Sequence, residues 1–360
     1  MRKGVGDDHD EEIGMQALQL TGWKRPGELV EVDVPEPGPG QVLLRIGGAG
    51  ACHSDLHLMH DFEAGIVPWN PPFTLGHENA GWVEALGAGV HGVEVGEPVA
   101  VYGPWGCGRC RRCAQGMENY CERPDLVDAA AGGLGADGGM AEYMLVPSVR
   151  HLVGIGDLDP VDAAPLTDAG LTPYHAVKRA LPLLVPGSTA VVIGAGGLGH
   201  LAVQMLRALS PATVVAVDRR PEAVALAESV GAHAGVVADD GAAEAIRDLS
   251  GGQGADLVLD VVGADETLAL GASVARPMGQ LTIVGIAGGT LPISFFGIPY
   301  EVSVATTYWG SLPELQEVLA LAQAGAISAH VQRFSLDDAP TAYERLAAGQ
   351  IEGRAVIVPS

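Results

Sequence analysis

The five cysteines of this 360-residue chain divide four to one. Cys107, Cys110, Cys113 and Cys121 follow one another as Cys-x-x-Cys-x-x-Cys-x7-Cys. Four thiolates at this spacing can converge on one tetrahedral zinc with no position left open, a site that staples a lobe and does no chemistry. Arg109, Arg111, Arg112 and Arg123 stand among them and offset a centre of net charge about −2. An iron–sulfur cluster is the competing reading of four cysteines, and nothing else in the chain suggests electron transfer. Cys52 is left over, in Gly50-Ala-Cys-His-Ser-Asp55, and His77 stands in Gly76-His-Glu78. Taken singly, a buried thiol and a core imidazole are their ordinary readings.

A second kind of chemistry changes that reading. Ala190 to Ile193 is a short β-branched run, followed at once by Gly194-x-Gly196-x-x-Gly199 with Gly197 and Leu198 between. Leu198, Leu201, Ala202, Met205, Leu206 and Leu209 then repeat at helical spacing. A second apolar run, Val214 to Val217, ends on Asp218, 19 residues after Gly199. Strand, glycine turn, helix, strand, acid is the order of a dinucleotide site. Gly194 permits the tight turn, Gly196 lets backbone approach a pyrophosphate, and Gly199 lets helix pack on strand. The helix N-terminus offers N–H groups to phosphate, and Asp218 can accept from a ribose. A nicotinamide oxidises an alcohol by taking hydride, which needs the alcohol as its alkoxide. A zinc with three protein ligands and an open fourth position lowers a bound hydroxyl's pKa. Cys52 and His77 supply two such ligands; residue spacing does not pick the third.

The length predicts two domains. From about Met15 to Val146 the chain reads as short strands between Gly/Pro turns, a mainly β unit: Met15 to Leu20, Val30 to Val34 and Val42 to Ile46 alternate or run apolar. From about Asp168 to Gly310 strands alternate with helices, Leu257–Val261 and Leu281–Val284 among them, which predicts a doubly wound α/β unit. Leu312–Ala324 and Pro340–Ala348 read as helices and Ala355–Val358 as a closing strand. Met1 to Gly14 is polar and acidic, reads as disordered, and has no signal-peptide core. No apolar run approaches the ~18 residues that span a bilayer, and a cytoplasmic protein is expected. A net charge of −24 argues against nucleic acid or anionic membrane as partner.

Gly76-His-Glu78, the four-cysteine loop and the later glycine fingerprint, in that order, resemble the zinc-dependent medium-chain alcohol dehydrogenase family, from about Met15 onward. Tyr102-Gly-Pro-Trp-Gly-Cys107 and Pro165-Leu-Thr-Asp-Ala-Gly-Leu-Thr-Pro-Tyr174 resemble its bacterial secondary-alcohol branch. The resemblance implies a GroES-like catalytic domain, 15–167 and 310–360, around a Rossmann NAD-binding domain, 168–309, behind a disordered extension, 1–14. It implies NAD and two zinc ions per chain, and a homodimer or homotetramer joined through the cofactor domains. The family's third catalytic ligand precedes the cofactor domain, where Asp168 falls. Ser54 matches its proton-relay hydroxyl. Glu78 is either a support for the zinc histidine or an alternate ligand. His53 falls near the cofactor phosphate or ribose, and Arg219 follows the ribose acid. His57, Trp69, Leu134, Tyr308 and Trp309 fall where family members line the substrate cleft; His57 departs from the apolar or aromatic residue expected there. The activity implied is interconversion of secondary alcohols and ketones. A polyol, amino-alcohol or aldehyde dehydrogenase on the same scaffold is the nearest alternative, and a catalytically silent, zinc-stapled dinucleotide-binding protein the next.

Overall fold

The computed structural model describes residues 14–359; the acidic stretch before Gly14 lies outside them. Strand Gly14–Leu20 begins one residue before the expected Met15 and pairs antiparallel with Glu28–Asp33 and Phe73–Thr74. The main sheet of this unit has seven strands. Its path runs Leu152–Gly154, Pro98–Val101, Glu78–Leu86, Val42–Gly50, Arg354–Val358, Val331–Ser335, with Tyr143–Val146 also on Val42–Gly50. The last strands of the chain therefore return to the first sheet, with Val356 opposite Gly50. Leu18, Leu20, Leu44, Phe73, Leu75, Met140 and Met144 form its core. Strand Val42–Gly50 is buried on both faces except at Arg45, which explains its nearly continuous apolar run.

The middle of the chain forms a six-stranded parallel sheet in the order Ala234–Val237, Thr213–Asp218, Thr189–Ile193, Ala255–Asp260, Ala275–Ile283, Ser303–Thr306. Thr189–Ile193 lies at its centre, wholly buried. The strand order reverses there, so the crevice beyond its carboxyl end is where such a sheet takes a ligand. Helix Gly199–Leu209 starts at the third glycine and buries Leu201, Ala202, Met205 and Leu206, the positions its periodicity selects. Two strands, Ala234–Val237 and Ser303–Thr306, are not visible in the apolar pattern. Ala275–Ile283 starts six residues before the expected Leu281, through Pro277 and Gly279. The early part survives because the register shifts between Ala255 and Leu257, a bulge that absorbs residues a regular ladder excludes. Helix Leu171–Ala180 packs against Gly199–Leu209 and Leu312–Gln323, joining the two units. No helix among the described residues is long and apolar enough to cross a membrane.

Candidate active site

Three pieces of chain converge on one buried cluster. Cys52 caps helix His53–His60. His77 follows Gly76, whose φ of 95° turns the chain between Phe73–Thr74 and strand Glu78–Leu86. Asp168 ends the turn Ala164–Thr167. Cys52, His77, Glu78 and Asp168 each bring a ligand atom to within 4.8 Å of the others. His77 Nε2 lies 3.5 Å from Asp168 Oδ2 and 3.3 Å from Ser54 Oγ. Thr172 Oγ1 donates to Asp168 Oδ1 at 2.5 Å. Burial disfavours a charged His77, yet the Asp55 and Asp168 carboxylates and Cys52 hold its pKa well above the usual value. The cluster thus favours positive charge where it is buried, and a thiolate, an imidazole and a carboxylate are the donor set of a catalytic zinc. The residues present fit that ion.

His77 is oriented from behind by Asp55, which the sequence reading quoted and did not assign. Asp55 Oδ1 lies 3.1 Å from His77 Nδ1, close but off the line of a hydrogen bond. Its Oδ2 accepts from Cys52 N at 2.9 Å and Tyr343 Oη at 2.7 Å. The available signal was its place three residues after Cys52, where a helix-start carboxylate reaches back to the capping N–H. Such carboxylate–histidine pairs fix the ring nitrogen that faces a metal. Arg354 was also missed. Its guanidinium pairs with both oxygens of buried Glu78, one at 2.9 Å, and Ala169 N donates to Glu78 Oε1 at 3.0 Å. A Cβ on Gly50 would lie 1.8 Å from Glu78 Oε2, so only glycine leaves room for this carboxylate. A Cβ on Gly197 of the glycine loop would lie 3.0 Å from Arg354 Nη1.

In that loop, Gly194 has φ 94°, and a Cβ on Gly199 would lie 1.8 Å from Gly194 O. Asp218 Oδ2 accepts from Ala195 N at 2.8 Å, and Oδ1 accepts from Arg220 N at 2.9 Å. Arg220 Nη1 donates to the carbonyls of Gly349, at 2.5 Å, and Ile351, at 3.1 Å, whereas Arg219 is exposed. Ala195, Arg220, Gly349 and Gly353 line a cavity of about 360 Å³ between the two units. His53 is exposed at the start of its helix, and desolvation, then Arg354, His57 and Arg220, push its pKa down to about 4.

The four other cysteines also converge, their sulfurs within 4.8 Å of one another. Backbone N–H groups of Cys113 and Glu122 point at Cys110 Sγ and lower its pKa to about 6. Glu118 anchors the lobe, accepting from Gly106 N, Arg150 Nε and His151 Nε2 at 2.6, 3.0 and 3.1 Å.

Residues 38–157 match the alcohol dehydrogenase GroES-like domain and residues 197–324 the zinc-binding dehydrogenase domain. A D-arabinose 1-dehydrogenase (NADP(+)) of Saccharolobus solfataricus is 35% identical over 96% of this chain and 98% of its own. The chain belongs to the zinc-containing medium-chain alcohol dehydrogenase family. At that level it is an NAD(P)-dependent dehydrogenase, with two candidate zinc sites. The crystal structure of the alcohol dehydrogenase of Aeropyrum pernix superimposes with a TM-score of 0.88 at 37% identity, covering 96% of this chain and all of that one. An acetophenone reductase of Geotrichum candidum, solved with NAD, gives 0.82 at 31% identity over 99% and 98%.

The residues expected to line the cleft separate into two groups. Trp69 is half-buried and packs with Trp23 and Phe73, ring centroids 5.9 and 5.4 Å apart, and Leu134 packs on the same core. Trp23 was not singled out in the sequence, since one aromatic carries no spacing signal. His57 lies one turn beyond Ser54 on helix His53–His60, with Nδ1 2.5 Å from Asp61 Oδ2. Tyr308 is exposed, but Trp309 is only 5% exposed and stands behind His77, ring centroids 5.8 Å apart.

Proposed function

We propose that the protein interconverts secondary alcohols and ketones with NAD. Cys52, His77 and Asp168 would hold the catalytic zinc, and Cys107, Cys110, Cys113 and Cys121 the structural one. The bound zinc supplies Lewis acidity toward the substrate oxygen and the nicotinamide accepts the hydride. The chain's own residues do the rest. Asp55, backed by Tyr343, keeps His77 Nε2 turned toward the cluster. Ser54 Oγ, 3.3 Å from that nitrogen, takes the alcohol's proton as it passes its own hydroxyl proton on. His57, three residues on and half-exposed, lies on the same helix face as Ser54 and offers the proton a way to solvent. Gly194, Gly196, Gly197, Leu198 and Gly199 would form the turn that receives the pyrophosphate, with His53 near the phosphate or ribose, and Asp218 would bind the ribose. Leu134, Trp69 and Tyr308 bound the substrate.

The observation that carries this reading is the meeting of Cys52, His77 and Asp168 with Ser54 in one buried cluster. The acetophenone reductase likeness supports a ketone substrate. The D-arabinose dehydrogenase relative favours a second reading, an aldose. Initial rates with NAD and NADP against secondary alcohols, polyols and aldoses separate them: aldoses outrunning simple secondary alcohols would replace the first reading by the second. Metal analysis tests the silent alternative, since two zincs per chain are expected and one would favour a scaffold. A homo-oligomer is part of the proposal. Strand Ser303–Thr306 ends the parallel sheet with one edge unpaired among the described residues. Just ahead of it in the chain, Phe295, Phe296 and Tyr300 pack ring on ring and are 75%, 85% and 57% exposed, an apolar patch suited to a second copy of the chain.

A further inference from the structure

Trp309 has a left-handed backbone, φ 51°, which a bulky residue adopts only when its surroundings impose it. Both neighbouring carbonyls are held by the catalytic unit. Asn119, inside the four-cysteine loop, donates through Nδ2 to Tyr308 O at 2.9 Å. Tyr102, just ahead of that loop, donates through Oη to Gly310 O at 2.8 Å. Leu312 N donates to Gly116 O, also in the loop, at 2.8 Å. The indole so placed touches the metal cluster at two points. Its ring meets the His77 imidazole edge to face, interplanar angle 81°. Its Nε1 donates to Thr167 O at 3.0 Å, the carbonyl preceding Asp168. A Cβ on Gly103 would lie 2.1 Å from Trp309 Cζ2, so the ring has no room to move that way.

We propose that Trp309 is a positioning residue that fixes His77 and Asp168 in register, and that the four-cysteine lobe sets Trp309 in place. The lobe then shapes the active centre as well as stapling the fold. The inference rests on the reading of Cys52, His77 and Asp168 as a metal centre.

Co(II) in place of zinc makes that centre visible. The difference between each protein and its own Cys52→Ser counterpart separates its d–d bands from those of the four-cysteine site. Trp309→Phe keeps a ring against His77 and loses the N–H; Trp309→Leu loses both; Asn119→Ala frees the Tyr308 carbonyl without touching the cluster. Trp309→Leu is expected to shift and weaken the Cys52-dependent bands and to lower kcat roughly 10- to 100-fold, with the NADH dissociation constant unchanged. Trp309→Phe should recover part of both effects, and Asn119→Ala should shift the same bands in the same direction. Wild-type bands and kcat in the two Trp309 variants would overturn the positioning role. Bands altered only at the four-cysteine site in Asn119→Ala would overturn the link to the lobe. Should Trp309→Leu not fold, the other two variants decide. Failure of the metal-centre reading looks different: the wild type itself would give no Cys52-dependent band, and the proposal would fall with it.

Discussion

Asp55 holds the Cys52 N–H with one oxygen and faces His77 with the other, whereas Asp218 accepts a backbone N–H on each oxygen, from Ala195 and from Arg220. Asp55→Asn keeps the shape and removes the charge facing His77. The ring loses the partner that fixes its tautomer, so zinc per chain after dialysis against a chelator should fall from two toward one. Metal affinity or kcat should drop roughly 10- to 100-fold. Retention of both zincs at full kcat would show that Asp55 acts only as a helix cap. Asp218→Gly should weaken NAD and improve NADP. A 2′-phosphate of charge about −1.5 to −2 would no longer meet a carboxylate, and exposed Arg219 is available to it, whereas Arg220 is engaged by Gly349 and Ile351. The bond from Ala195 N to Asp218 is lost too, so the gain for NADP should be smaller than the loss for NAD; each 1.4 kcal/mol is about tenfold. The measurement is kcat/KM for both cofactors, and a wild type that prefers NADP would overturn the assignment of Asp218.

At the scale of elements, the two metal sites should separate by phenotype. Cys107→Ser opens a closed site whose metal binding contributes to folding, and should lower Tm or soluble yield. Asp168→Ala should leave a folded protein that binds NADH and turns over poorly; full activity with two zincs would mean that the third ligand is another residue. Helix Leu312–Gln323 gives a pH test. Glu314, its third residue, accepts from Ser311 N and Oγ at 2.8 Å and lies 2.9 Å from His175 Nδ1. Burial opposes its charge, but these partners hold its pKa down to about 2 from 4.5. A depressed carboxylate stabilises the fold above its unfolded pKa, and that contribution fades as pH falls from about 4.5 toward 2. Glu314→Gln should therefore cost at most about 3 kcal/mol at pH 7, and its Tm deficit should shrink between pH 5 and 3. A deficit independent of pH would show that the charge contributes nothing. Legibility in the sequence followed the same divide. Contiguous features such as the glycine turn, the cysteine spacing and the periodic helices could be read directly, because their geometry is local. Asp168 came only through family resemblance, and Arg354 and Tyr343 not at all, because they reach their partners across long stretches of intervening chain, 276 residues for Arg354 and Glu78 and 288 for Tyr343 and Asp55. Strand Ser303–Thr306 escaped notice because an edge strand needs no apolar run.

For the whole molecule, the unpaired sheet edge and its aromatic patch predict assembly. A Phe295→Ser, Phe296→Ser protein should show a smaller mass by light scattering than the wild type at equal concentration, with NADH binding kept; an unchanged mass would place the contact elsewhere. The return of Arg354–Val358 to the first sheet has a consequence for synthesis. As the chain leaves the ribosome, the parallel-sheet unit can complete its core while the strand that must lie beside Val42–Gly50 is still unmade. Until it arrives, Glu78 has no guanidinium to meet and the first unit has an open seam along the strand that carries Gly50. The nascent protein should thus acquire its cofactor-binding half before its metal-binding half. Premature termination anywhere short of Arg354 should yield a product that a protease cuts first in the segment emerging earliest.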